Sequence, residues 1–112
     1  DYIYVRFLLH AVTHKSEIKL ILFIENIKKR NTLVFFEFRN EKDRIFKKGK
    51  NVGKNLFLFG NNHFRRKIIT KKFIKTFLKL TKSKLLYKME SKTFSITRDD
   101  KPNLTRLIFK FI

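Results

Sequence analysis

Residues 64–84 read FRRKIITKKFIKTFLKLTKSK, a stretch with nine basic residues and no acid. At about 100° per residue, this pattern predicts an amphipathic helix. One side would carry the apolar residues Ile69, Phe73, Ile74, Phe77, Leu78 and Leu80. The other side would carry the basic residues Lys67, Lys71, Lys72, Lys75, Lys79 and Lys82. We expect Asn61 or Asn62 to cap the helix, because a short side-chain oxygen accepts from the free amides of a first turn.

The charge of the chain is large and unevenly placed. The 112 residues carry a formal net charge of +19. From Arg44 to Met89 there are fifteen Lys or Arg residues and no acid. A solvated surface normally mixes both signs, so this segment favours a polyanionic partner. The glycine-containing stretch over residues 47–55 predicts a basic loop or hairpin tip. Its lysines are Lys47, Lys48, Lys50 and Lys54.

Composition indicates one folded domain spanning residues 1–112. Hydrophobic residues make up 43% of the chain and include 14 Phe, which predicts a core rich in phenylalanine. There is no Cys, which excludes disulfides and thiolate metal sites. No apolar run approaches the ~20 residues of a membrane-spanning helix. The abundance of Lys, Ile, Asn, Phe and Leu is typical of an AT-rich genome.

The remaining segments alternate between strand and helix patterns. We predict a helix from a cap at Ser16 to about Arg30, and a turn over residues 99–103. The predicted strands are Tyr2–Leu9, Leu33–Phe38, Leu56–Phe59, Thr93–Thr97 and Leu104–Ile112. The first is almost continuously apolar, which is typical of a strand covered on both faces. The order β-α-β-β-α-β-β predicts an α+β fold, with one mixed sheet and both helices packed on one face.

The basic helix and loop are the strongest functional feature. Phosphate contacts dominate affinity for nucleic acids, and lysines at helical spacing form a rigid row of such contacts. The spacings typical of helix-turn-helix, zinc-finger and zipper proteins do not occur, so we favour RNA over DNA. Phe64 is the aromatic residue that we expect to be available for stacking on a base. A solvated lysine face is the alternative interpretation.

Other chemistries find little support in the residues. His10 and His14 are four residues apart, a spacing that could hold a metal on a helix, but no third ligand lies nearby. Asp99 and Asp100 are adjacent in a turn and do not form a catalytic pair. No phosphate-binding, dinucleotide or hydrolase motif occurs, so we predict no enzyme activity, cofactor or small-molecule substrate. A cationic helix lying on an anionic membrane remains an alternative.

The chain resembles the eukaryotic large-subunit ribosomal protein twenty-two family, which is distinct from its bacterial namesake. The family carries a Phe, a basic pair and then a Leu-Thr-Lys-Lys-Tyr-Leu-Lys core. The corresponding residues here are Phe64-Arg65-Arg66 and the run ITKKFIK over 69–75. The stretch FIENIK over 23–28 is similar to the first helix of the family. The last strand, with Leu107 and Phe111, is similar to the family's last strand.

This resemblance implies a cytoplasmic structural protein of the large ribosomal subunit. Its partners would be large-subunit ribosomal RNA and neighbouring ribosomal proteins, with no membrane and no enzymatic role. It also implies that Lys71, Lys72 and Lys75 contact RNA, with Arg65, Arg66 and Lys67 as the next candidates. The alternatives are a protein of an organellar, mitochondrial ribosome and a cationic membrane-surface or partner-binding module.

Overall fold

The computed structural model describes residues 1–60, 63–94 and 100–112. The helices are α1 (His14–Ile27) and α2 (Thr70–Leu80). The strands are β1 (Tyr2–Arg6), β2 (Leu33–Arg39), β3 (Lys50–Gly53), β4 (Leu56–Phe59), β5 (His63–Arg66), β6 (Ser83–Ser91) and β7 (Leu104–Phe111). The fold is mixed α+β, as the order of patterns predicted.

The main sheet has the strand order β1-β2-β7-β6. Strands β1 and β2 are parallel and are joined through α1, whereas β2–β7 and β7–β6 are antiparallel. Strands β3, β4 and β5 form a second, antiparallel sheet of their own. The predicted mixed sheet is present, and the structure adds this smaller sheet because the basic hairpin and the strand after it pair with each other.

One face of the main sheet forms the core with both helices. Phe36 of β2 contacts Phe73 and Phe77 of α2, with ring centroids 4.9 and 5.2 Å apart. Phe77 also packs against Phe109 of β7 at 4.3 Å. Ile21 and Ile24 of α1 join the same cluster. Phe38 of β2 and Phe111 of β7 also point to this face, which explains the phenylalanine-rich composition.

The first strand differs from its prediction. Tyr2 and Tyr4 are 67% and 72% exposed, and only Val5 of β1 is fully buried. The strand lies at the edge of the sheet and its second face is open, whereas we expected both faces to be covered. The continuous apolar character of β1 therefore corresponds to a strand with one buried face and one exposed aromatic face.

The boundaries of α1 were also shifted in the prediction. Thr13 is the N-cap, with its Oγ1 accepting from the amide of Ser16 at 3.1 Å. The helix ends at Ile27, since Lys28 adopts an extended conformation. Arg30 therefore lies beyond the helix.

Strand β6 was not predicted. Its first residues, Ser83 and Lys84, are the last residues of the basic stretch that the sequence pattern predicts to be helical. It is an edge strand with a bulge between Leu85 and Tyr87, so its apolar alternation is interrupted. The predicted strand over 93–97 lies mostly outside the described residues, as does Asp99 of the predicted turn.

Candidate nucleic-acid interface

Helix α2 presents its basic side outward because its aromatic side is in the core. Phe73 and Phe77 are 3% and 0% exposed. The lysines on the opposite side are all exposed: Lys71, Lys72, Lys75 and Lys79. Lys82, just beyond the helix, is exposed as well. Phe73 and Phe77 belong to the core, so these two side chains are not free to enter a membrane.

The helix is shorter than predicted and begins in a different way. Its first residue is Thr70, and the preceding Ile69 makes no side-chain cap. The carboxylate of Glu41 instead accepts from the Thr70 amide at 3.1 Å and from the Thr70 hydroxyl at 3.3 Å. The predicted caps, Asn61 and Asn62, lie outside the described residues and several positions before the helix.

The helix prediction was wrong over residues 64–69, which precede α2. Residues 63–66 form β5, which pairs with β4, so Phe64 and Arg65 belong to the small sheet. Phe64 is 49% exposed. Arg65 is half-buried and donates to the carbonyl of Phe64 at 2.9 Å. The basic pair of the quoted motif therefore lies on a strand and only residues 70–75 of the motif lie on α2.

Arg66 is held inside the protein. It donates to Glu17 at 2.6 Å, to the carbonyl of Val12 at 3.0 Å and to the carbonyl of Leu9 at 3.2 Å. Its side chain is 13% exposed and that of Glu17 is 4% exposed. We therefore remove Arg66 from the candidate phosphate contacts, because its guanidinium ties β5 to the start of α1.

A groove joins the basic helix to the basic hairpin. The Lys67 amide donates to the Asn55 carbonyl at 2.7 Å, which holds the β3–β4 turn beside the segment that leads into α2. Lys54, Lys67 and Lys72 line the same groove, which has a volume of about 340 Å³. Two parts of the predicted site, the helix and the loop, therefore meet at this groove.

The other hairpin cations stand apart from the groove. Lys47, Lys48 and Lys50 are exposed around the start of the small sheet and are not among the residues that line the groove. The sequence predicts either a loop or a hairpin tip for this basic segment, and the structure has a hairpin of β3 and β4. Its turn brings Lys54 to α2, whereas Lys50 pairs with Leu58 at the end of the hairpin away from the turn.

The acids of the described chain all have a partner already, including Glu17, which lines the groove and pairs with Arg66. They pair with other cations or with backbone and hydroxyl groups: Asp1 with Lys29, Glu17 with Arg66, Glu25 with Lys28, Glu37 with Arg6 and Arg106, Glu41 with Thr70, Asp43 and Asp100 with Arg39, and Glu90 with Lys42. Within residues 1–60, 63–94 and 100–112, no acid forms an ion pair with a lysine of the candidate interface. The lysine surface is thus left positive.

The two histidines considered as a metal pair have separate surroundings. His10 is buried, and its Nδ1 accepts from the Arg39 amide at 3.3 Å. The pKa of His10 is lowered to about 4, mainly by burial and then by the positive charges of nearby arginines. His14 lies at the exposed start of α1, where it pairs with Glu17 at 3.4 Å and lines the groove.

The sequence reasoning missed His14 as a groove residue. The groove forms between α1, the β3–β4 turn and α2, which are far apart in the sequence. His14 lies close to the predicted cap of the first helix, which indicates an exposed position. The sequence does not indicate which segment packs beside it.

Comparison of the sequence with known protein families and with curated proteins finds no match. In the described part of the chain, neither helix combines the length and the hydrophobicity needed to cross a bilayer.

Proposed function

We propose that this chain binds RNA through the outward lysines of α2 and the adjacent groove. The observation that carries the proposal is the lysine surface itself, which is fixed by a buried aromatic face and has no described acid paired to it. Lysines at this spacing contact successive phosphates, and release of counterions then drives binding. The contacts expected to dominate are Lys71, Lys72, Lys75 and Lys79 on the helix, with Lys54 and Lys67 at the groove.

We further propose that the RNA is ribosomal and that the chain is a structural component of the large subunit. The resemblance of residues 69–75 to the family's basic helix supports this assignment. The exposed positions of Lys71, Lys72 and Lys75 on α2 fit the role that the resemblance implies for them. A mitochondrial ribosome would present the same chemistry to these lysines.

The electrostatic mechanism is tested by the salt dependence of binding to a folded RNA hairpin. If about six phosphates are engaged, log affinity should fall with log salt with a slope of about −4 to −5. The triple variant Lys71→Ala, Lys72→Ala, Lys75→Ala should reduce that slope by about 2 to 3. A slope near zero in the wild-type protein would overturn the proposal.

A charge-matched control distinguishes the effect of the α2 lysines from the effect of net charge alone. Lys19, Lys92 and Lys101 are exposed and lie on other segments of the chain. Their triple replacement by Ala lowers the net charge equally and should change the slope much less. Equal effects of the two triple variants would mean that the helix surface is not the binding site.

The ribosomal assignment has its own test. An extract of cells that express the chain is fractionated on a sucrose gradient, with and without ribonuclease. We expect the chain to sediment with a large ribosomal subunit and to leave it after ribonuclease treatment, and the RNA of that subunit identifies the cytoplasmic or the organellar ribosome. Migration at the top of the gradient in both samples would overturn this assignment.

A further inference from the structure

The face of the main sheet that points away from the helices has an ordered pattern of side chains. The strand register aligns three rows across the order β1-β2-β7-β6. The rows are Tyr2–Leu33–Lys110–Lys84, Tyr4–Phe35–Ile108–Tyr87 and Arg6–Glu37–Arg106–Met89. The middle row is therefore aromatic and apolar, and cations stand in the row on each side of it. Neighbouring strands are about 4.8 Å apart, so each row is about 14 Å long.

The aromatic rings of the middle row are available at the surface. Tyr4 stacks on Phe35 with ring centroids 4.7 Å apart and planes 14° apart, and Tyr4 is 72% exposed. Tyr87, at the other end of the row, is 39% exposed. Between them runs a groove of about 350 Å³ that is lined by residues of the middle row together with Arg6 and Arg106. The parallel pair of Tyr4 and Phe35 and the exposed ring of Tyr87 are suited to stacking by another flat ring.

The charges beside the groove favour an anionic ligand. Glu37 is the acid of the three rows, and it is already paired with Arg6 at 2.8 Å and with Arg106. Burial alone would raise the pKa of Glu37, but hydrogen bonds from Arg106 and then Arg6 outweigh it and keep the pKa below its usual value. Arg106 is further held by Phe94, whose ring centroid is 4.1 Å from its guanidinium carbon. The arginines are thus positioned in advance, and the surface keeps a positive excess.

A ligand with flat rings and regularly spaced negative charges matches this arrangement best. Single-stranded RNA has unstacked bases for the middle row and phosphates for the flanking rows. Double-stranded RNA keeps its bases stacked on each other, so it offers none to the tyrosines. A second copy of this chain, placed face to face, would bring the same cations together, including Lys84 and Lys110.

We propose that the open face of the main sheet is a second RNA site, which binds a single-stranded segment by stacking bases on Tyr4, Phe35 and Tyr87. The inference deepens the proposed RNA-binding function and rests on it. The two sites lie on opposite sides of the protein, because α2 covers the other face of this sheet and its lysines point away from it. A bound RNA would therefore present a base-paired part to α2 and an unpaired part to the sheet.

Intrinsic fluorescence provides a direct test. The chain has three Tyr and no Trp, and Tyr2, Tyr4 and Tyr87 all lie on the open face. An oligouridine of about eight nucleotides should quench tyrosine emission on binding, after correction for absorbance with free tyrosine amide. A blunt RNA duplex that binds α2 should leave the emission unchanged. Equal quenching by the duplex, or by an acidic polypeptide such as polyglutamate, would overturn the proposal.

Substitution of the exposed tyrosines tests the stacking contacts. Tyr4→Leu and Tyr87→Leu should each weaken oligouridine binding about tenfold, because stacking on an aromatic ring is lost while an apolar side chain is kept. Tyr4→Phe is the matched control and should bind as the wild-type protein does. Unchanged affinity in the Tyr4→Leu, Tyr87→Leu double variant would overturn the proposal.

The same oligonucleotides separate failure of this site from failure of the proposed function. The triple lysine variant of α2 should lose affinity for the duplex and keep quenching by oligouridine. Duplex binding without oligouridine binding would reject the sheet site and leave the α2 site in place. If the wild-type protein binds neither the duplex nor oligouridine, both proposals are rejected.

Discussion

Arg66 donates to the nearly buried carboxylate of Glu17 at 2.6 Å, across 49 residues of sequence. The sequence pattern had grouped Arg66 with the cations that contact RNA, but this contact makes it part of the folded interior. A buried charge that loses its partner is costly, because the protein interior solvates it poorly. Stability and RNA binding should therefore respond to different arginines and lysines of the same basic stretch.

We expect Arg66→Ala to lower the free energy of unfolding by about 3–5 kcal/mol, since the buried carboxylate of Glu17 loses its arginine partner. Urea denaturation followed by circular dichroism measures the change. The double variant Arg66→Met, Glu17→Leu should recover part of the loss, because it removes both charges. Lys71→Ala is the exposed control and should change stability by less than about 0.5 kcal/mol. Equal stability of the Arg66 and Lys71 variants would contradict this assignment.

Glu41 should stabilise α2 from outside the helix. It accepts from the Thr70 amide and hydroxyl, and a carboxylate at a helix N-terminus also interacts favourably with the helix dipole. Glu41→Ala should cost about 1 kcal/mol in thermal or urea denaturation. Glu41→Gln keeps an acceptor oxygen without the charge, so it should cost less. If neither substitution changes the stability, the contact between Glu41 and Thr70 does not form in solution.

Neighbouring residues of α2 should differ sharply in their contribution to stability. Phe77 is 0% exposed and packs on Phe36 and Phe109, whereas Leu78 is 38% exposed. Phe77→Ala should destabilise the fold by about 3–5 kcal/mol. Leu78→Ala should cost about 1 kcal/mol or less, because it removes little buried area. The reverse order would mean that the helix is rotated from the orientation described here.

Acid should destabilise the protein through His10. The folded-state pKa of His10 is about 4, and its unfolded value is 6.5. Between these values the unfolded chain binds more protons, so stability is complete above pH 6.5 and is lost as the pH falls toward 4. The His10 contribution to this loss should reach about 3 kcal/mol at pH 4.

The His10→Gln variant isolates this effect, since glutamine does not titrate and retains an oxygen that can accept from Arg39. Its free energy of unfolding should change less than that of the wild-type protein between pH 6.5 and 5. Parallel pH profiles for the two proteins would show that His10 is not the titrating group. Carboxylates such as Glu37, whose pKa is lowered, contribute mainly at lower pH.

Local periodicity predicted the structure correctly where the burial of a side chain depends on spacing within one helix or strand. Phe73 and Phe77 are four residues apart and both reach the core, so the sequence correctly predicted which side of α2 is buried. The predicted strands Leu33–Phe38 and Leu104–Ile112 match β2 and β7 closely, and alternation was the pattern that identified β7. The edge strand β6 escaped prediction since a bulge breaks its alternation.

By itself, therefore, the sequence determined the α+β class, the aromatic core and the outward lysines of α2, because these depend on spacing within a single element. Only the tertiary structure decided that Arg66 is internal, that Glu41 caps α2 and that Lys54 meets Lys72 at one groove. It also decided that one face of β1 stays open. Each of these outcomes depends on contacts between residues far apart in the chain, and no local pattern encodes such pairings.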